Sequence, residues 1–138
     1  FGLLVDNAAD KRDEGFSIED LATYIETTKQ NVKHLFFSTD MKMFRRSGRV
    51  SGSAAAIATV LNICPVMKVT RQGKLEAFTK VRGKDKAIEY VFNEMKKHVG
   101  ESYSKRCYIS NSNCLPMAEA LKKKVVDFFG CEVKIFDI

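Results

Sequence analysis

Residues 63–81 place the tightest constraint on how this chain can fold. Two runs rich in aliphatic and β-branched residues, Ile63 to Thr70 and Leu75 to Val81, flank Arg71-Gln72-Gly73-Lys74. Gly73 can supply a positive φ, so the spacing predicts a β-hairpin with strands at 63–70 and 74–81. A hairpin forces an antiparallel pair into whatever sheet holds it.

Around the hairpin, helical and strand periods alternate. Residues 2–12 read as a helix with Leu3, Leu4 and Ala8 on one side, broken by Gly15. Ser17 is a good N-cap with Glu19 and Asp20 behind it, and Ile18, Leu21, Ala22 and Ile25 follow at helical spacing over 18–30. Residues 34–38 read as a short buried strand. Past the hairpin, Ile88, Val91, Phe92, Met95 and Val99 form a helical stripe that Gly100 stops. A strand is predicted at 106–110. Asn111-Ser112-Asn113 offers caps for a helix through Phe129, with Ala118, Leu121, Val125 and Phe128 inward and Lys122, Lys123 and Lys124 outward. A last strand covers 131–136. The pattern predicts an α/β sandwich: one mixed sheet with an inserted β-hairpin, covered by helices.

Size and composition bound the function. The 138 residues suit one domain, and a 45% apolar content can build a core. The longest apolar run, Ala54 to Leu61, is interrupted by Thr59 and falls far short of the roughly 20 residues of a membrane span. No basic region precedes Phe1-Gly2-Leu3-Leu4-Val5, so a signal peptide is not predicted. The apolar start and the strand-like Glu132 to Ile138 end are expected to be cuts through a longer protein. The four cysteines (64, 107, 114 and 131) and two histidines (34 and 98) lack metal-ligand spacing. They suit small buried hydrophobes, and neither a metal nor another cofactor is expected. A reducing, cytoplasmic setting follows from that usage.

The formal charge of +6 is unevenly placed. Residues 1–37 carry 4 basic and 7 acidic side chains, and residues 38–138 carry 19 and 10. Two loops concentrate the basic excess. Arg45 to Ser53 holds Arg45, Arg46 and Arg49 among glycines and serines, ahead of the small-residue helix predicted from Ala54 to Leu61. Ser51 and Ser53 can cap that helix, and Arg49 has a fork suited to carboxylate or phosphate. The loop reads either as an anion site or as a helix cap with solvated arginines. It is not a Walker A loop, because the G-x-x-x-x-G-K-[ST] pattern is missing. The second cluster, Lys80-Val81-Arg82-Gly83-Lys84-Asp85-Lys86, lies at a predicted strand end, where α/β sheets often place ligands, and by itself reads more simply as a basic turn. Neither histidine has a Ser, Cys or Asp neighbour at a telling offset, so nucleophile–base chemistry has no support.

The order of these pieces resembles the second half of DegV-family proteins, the bacterial fatty-acid-binding subunits of fatty acid kinases. The matching pieces are Ser47-Gly48-Arg49-Val50-Ser51, the small residues Ala54 to Ala58, Leu61-Asn62-Ile63-Cys64-Pro65, Gly73-Lys74 and Lys80-Val81-Arg82-Gly83. Val50 stands where the family usually has Ile, Cys64 where Lys is frequent, and Ser47 where a glycine is usual. The resemblance implies the C-terminal-domain fragment of a two-domain fold. Residues 1–33 would be linker helices from the domain junction, and 34–138 a C-terminal α/β domain incomplete at its C-terminus. An N-terminal domain would supply the carboxylate ligands.

The implied function is to bind a long-chain fatty acid and present its carboxylate to a separate kinase subunit for acyl-phosphate formation, without catalysing the transfer. Arg49, Arg82 and Ser51 match the head-group mouth or docking face, and Ala55, Ile57, Ala58 and Leu61 would line the acyl chain. Each buried CH₂ contributes about 0.8 kcal/mol, so an apolar tunnel could hold a long chain with few polar contacts. Apolar surface left bare between domains is expected to promote self-association. The alternatives are a basic nucleic-acid-binding module, resting on the pI of about 9.2, and a hydroxyketone-kinase-like enzyme domain. The aromatics fall at core spacings and not as an exposed stacking stripe, which argues against nucleic acid.

Overall fold

The computed structural model describes residues 1–40, 46, 62–98 and 106–138. The chain divides into two units, Phe1–Lys33 and His34–Ile138.

The first unit is a helical pair, α1 (Gly2–Asp13) and α2 (Ile18–Thr28), followed by a 3-10 turn at Lys29–Asn31. Ser17 caps α2 as its sequence predicts, its Oγ accepting from the Asp20 amide at 3.1 Å. Phe16 meets Tyr24 edge-on at 6.5 Å, and the Lys11 ammonium sits 5.5 Å over the Phe16 ring. No residue of either helix is buried. Ile18, predicted to face inward, is 78% exposed. It occupies the first turn, ahead of the half-buried Leu21, Tyr24 and Ile25 that form the inward stripe.

The second unit contains β1 (Leu35–Phe37), β2 (Ile63–Val69), β3 (Leu75–Arg82), α3 (Lys84–His98), β4 (Arg106–Asn111), α4 (Leu115–Phe129) and β5 (Glu132–Asp137). The α/β character and the inserted hairpin are both present. The strands do not share one sheet, however. Among the described residues they form a three-stranded antiparallel sheet, β1-β2-β3, and a two-stranded parallel sheet, β4-β5. The hairpin spends its free edge on β1, and α3 packs against all three of those strands and against α4. The parallel pair is linked through α4.

The hairpin turn is built as its residues require. Gly73 takes φ +76°, its amide donates to the Thr70 carbonyl at 2.9 Å, and the Thr70 amide donates to the Lys74 carbonyl at 2.8 Å. A register shift at Val66/Met67 marks a β-bulge. Cys64, Pro65, Val66 and Met67 are buried in succession, so both faces of β2 are covered. Pro65 lies just beyond the end of β1, whose Phe37 pairs with Val66. Among the described residues no strand pairs with β2 on that side there, the setting in which proline is tolerated.

The core over the parallel sheet joins Phe92 of α3, Ile109 of β4, Ala118 and Val125 of α4 and Val133 of β5. Phe129, not Phe128, completes the inward stripe of α4. Phe128 is 62% exposed and leans edge-on against Phe92 at 5.7 Å, with the Lys96 ammonium 5.5 Å from its ring. The line Ala118–Leu121–Val125–Phe129 faces the sheet, and Phe128, one position back, turns toward α3. Lys124 lies on that side too, paired with Glu89 at 2.7 Å. Gly130 ends the helix at φ +61°. The expected end of α3 at Val99 and Gly100 lies outside the described residues.

Candidate functional site

The hairpin sheet ends in a tightly specified corner. Ile63 pairs with Arg82, and one residue further the Gly83 amide donates to the Asn62 carbonyl at 2.8 Å. Both flanking residues are left-handed, Asn62 at φ +67° and Gly83 at φ +91°. A Cβ on Gly83 would come no closer than 3.9 Å to the Asn62 side chain, so glycine is required by the backbone angle and not by space. The Gly83 carbonyl then accepts from the Ala87 amide at 3.2 Å, so the first turn of α3 hangs on the same residue. Asn62 is the αL residue that lets the chain enter β2 at this point.

This corner is cationic. Lys80 and Arg82 are two apart on β3 and both exposed, and exposed Lys84 and Lys86 follow on the first turn of α3 with Asp85 between them. Among the described residues none of these four cations makes an ion pair. Lysines at a helix N-terminus oppose the helix dipole and add nothing to its stability. Their charge is instead available to an anion or an acidic surface, with the Arg82 guanidinium able to engage two oxygens at once. Arg82 thus stands at an exposed strand end, as its sequence cluster predicts. Arg49, Ser51, Ala55, Ile57, Ala58 and Leu61 lie outside the described residues.

A second polar feature closes the carboxyl ends of the parallel strands. Asn111, the last residue of β4, is 3% exposed. Its Nδ2 donates to Asp137 Oδ1 at 2.7 Å and to the Phe136 carbonyl at 3.2 Å, and its Oδ1 accepts from the Cys114 amide at 3.2 Å. Cys114, not Asn111, Ser112 or Asn113, occupies the N-cap of α4, with no side-chain cap bond. Sequence reasoning missed this role because an Asn between strand and helix reads first as a cap.

The thiols have packing chemistry. Cys107 is pushed up to about 11 by burial and then by Cys131 beside it, and burial also raises Cys64 and Cys131. Thiols so raised stay protonated at neutral pH and are poor nucleophiles. Among the described residues no group of three or more His, Cys, Asp and Glu side chains could hold a metal ion, and no helix is long and apolar enough to cross a membrane.

Fold and corner together define an α/β domain with an exposed cationic end of a β-hairpin. The family model described as "Uncharacterised protein, DegV family" matches residues 1–138, and the chain belongs to that family. A DegV domain-containing protein of Clostridium perfringens is 32% identical over 124 residues, covering 90% of this chain and 43% of the relative. The Streptococcus pneumoniae Fatty Acid Kinase (Fak) B3 protein, solved loaded with linoleic acid, superposes with TM-score 0.86 at 26% identity, covering 98% of this chain and 48% of that one. A Eubacterium eligens DegV family protein loaded with heptadecanoic acid shares the fold, with TM-score 0.86 at 21% identity over 98% of this chain and 49% of that one. The chain therefore spans about half the length of the relatives it matches.

Proposed function

We propose that this chain is part of a non-catalytic subunit that binds one long-chain fatty acid and presents its carboxylate to a separate kinase subunit for acyl-phosphate formation. The observation that carries the reading is the likeness to the linoleic-acid-loaded Fak B3 protein at 26% identity over nearly the whole chain. In this reading residues 1–33 are linker helices and 34–138 are most of a C-terminal α/β domain. Arg82, with Lys80, Lys84 and Lys86, faces the partner or the phosphate product, together with Arg49 and Ser51. Ala55, Ile57, Ala58 and Leu61 line the acyl chain. The exposed cations, without an ion pair among the described residues, support this role, because charge at a rim steers association and orients an acidic partner. The protein works in the cytoplasm. The chain by itself, with Phe1, Ile18 and Phe128 exposed, self-associates.

The test is a coupled assay with the complete protein, a fatty acid kinase catalytic subunit, ATP and oleate. Acyl-phosphate formation is expected to need both proteins. Formation by this protein alone would overturn the non-catalytic reading, and no formation with lipid-loaded protein would overturn presentation to a kinase.

A further inference from the structure

We propose that Asn111 is a positioning residue that locks the carboxyl ends of β4 and β5 to the start of α4, so that this edge forms and opens as one unit. The proposal rests on the fatty-acid-binding reading only for its last test.

Three observations carry it. Asn111 is the buried polar side chain of the described core, at 3% exposure. One side chain serves three segments: Nδ2 reaches the Phe136 carbonyl and Asp137 Oδ1 of β5, and Oδ1 takes the amide of Cys114 where α4 begins. The backbone adds a fourth link, the Ile138 amide donating to the Asn111 carbonyl at 2.9 Å. The two segments tied to β4 are far apart in sequence, and both emerge at the edge where parallel α/β sheets place their ligands. A buried, fully satisfied side chain is costly to half-satisfy, because each lost partner leaves a desolvated group behind. The helix start has no side-chain cap, so the bond from Asn111 to the Cys114 amide takes the place of one. Loss of Asn111 therefore frees the α4 start and the β5 exit together.

The first test is amide hydrogen exchange on this chain. Asn111→Ala is expected to speed exchange at Cys114 and Ile138 together by about tenfold, with Val69 and Thr70 of the hairpin unchanged. Faster exchange at Ile138 with Cys114 unmoved would overturn the coupling. Because truncation could simply loosen the domain, a charge swap provides a second reading. Asn111→Asp alone sets two carboxylates against each other and should speed exchange at least as much. Adding Asp137→Asn reverses the direction of the 2.7 Å bond and should restore part of the protection, the Phe136 carbonyl still lacking its donor. A double variant that exchanges as fast as Asn111→Asp alone would show that the pair does not act as drawn.

The last test uses the complete protein. Asn111→Ala should speed oleate dissociation about three- to tenfold, and the swapped pair should release oleate more slowly than Asn111→Asp alone. Oleate release at the parent rate in a variant with fast exchange would overturn the positioning role. No oleate binding by the unaltered protein would overturn the function proposed above and leave the exchange result to decide the lock.

Discussion

The two sheets of the larger unit end in opposite ways. The hairpin sheet finishes at Asn62 and Gly83 with left-handed backbone and four exposed cations that no carboxylate among the described residues neutralises. The parallel sheet finishes at Asn111 with a neutral, buried side chain whose hydrogen bonds are all spent inside the protein. Solvated charge at the first end contributes little to folding. The second is built for the fold. Removing charge at the first should alter recognition with little loss of stability, whereas change at Asn111 should loosen the fold and, only through that, lipid release.

The largest effect should come from the core shared by α3, α4 and the parallel strands. Phe92→Ala removes a ring that packs against Phe128 and Phe129, and is expected to cost about 3–5 kcal/mol in denaturant unfolding. A loss under about 1 kcal/mol would show that the parallel sheet does not rest on this packing.

Arg82→Ala should leave unfolding within about 0.5 kcal/mol of the parent, because the side chain is exposed and makes no ion pair among the described residues. In the complete protein it should scarcely change fatty-acid affinity, which comes mostly from CH₂ burial. Kinase-coupled turnover should fall by about one to two decades, the equivalent of roughly 1.5–3 kcal/mol for one charge-assisted contact. Loss of lipid binding with turnover intact at saturating lipid would reverse the assignment of roles.

Gly83→Ala separates backbone from charge at the same corner. There is room for the methyl group, so only the φ of +91° opposes it, and a cost of about 1–3 kcal/mol is expected by thermal or denaturant unfolding. A neutral substitution would mean that the turn into α3 is free to relax.

The smallest effect concerns pH. The Cys107 thiol is held near 11 by burial, above its ordinary 9.0, so the folded chain keeps a proton that the unfolded chain releases between those values. Its contribution to stability is therefore full below pH 9 and lost as pH rises toward 11. Cys107→Ser should flatten that part of the stability–pH curve, and an unchanged slope would show that the thiol is not desolvated.

Much of this contrast is legible in the sequence, and the exceptions have physical causes. The hairpin, the Ser17 cap and the stripe of α3 are set by local spacing, which a sequence carries directly. Two sheets in place of one are not, because ladder partnership joins segments far apart and periodicity says nothing about it. The exchange of Phe128 for Phe129 reflects a rotation of one position on a helix flanked by aromatic neighbours, beyond what a stripe resolves. Arg82 was legible because a basic run at a predicted strand end is a local signal. Asn111 was not, because its partners lie 25 and 26 residues away. The glycine- and serine-rich loop from Arg45 and the apolar residues after it carry most of the family likeness, yet they lie almost wholly outside the described residues.

Binding of a fatty acid is the central claim, and native mass spectrometry of the complete protein, purified without added lipid and then delipidated and reloaded, measures it directly. The account predicts a mass increment of one long-chain fatty acid per protein as purified, lost on delipidation and regained with oleate. Protein that carries no lipid as purified and stays bare at saturating oleate would contradict it.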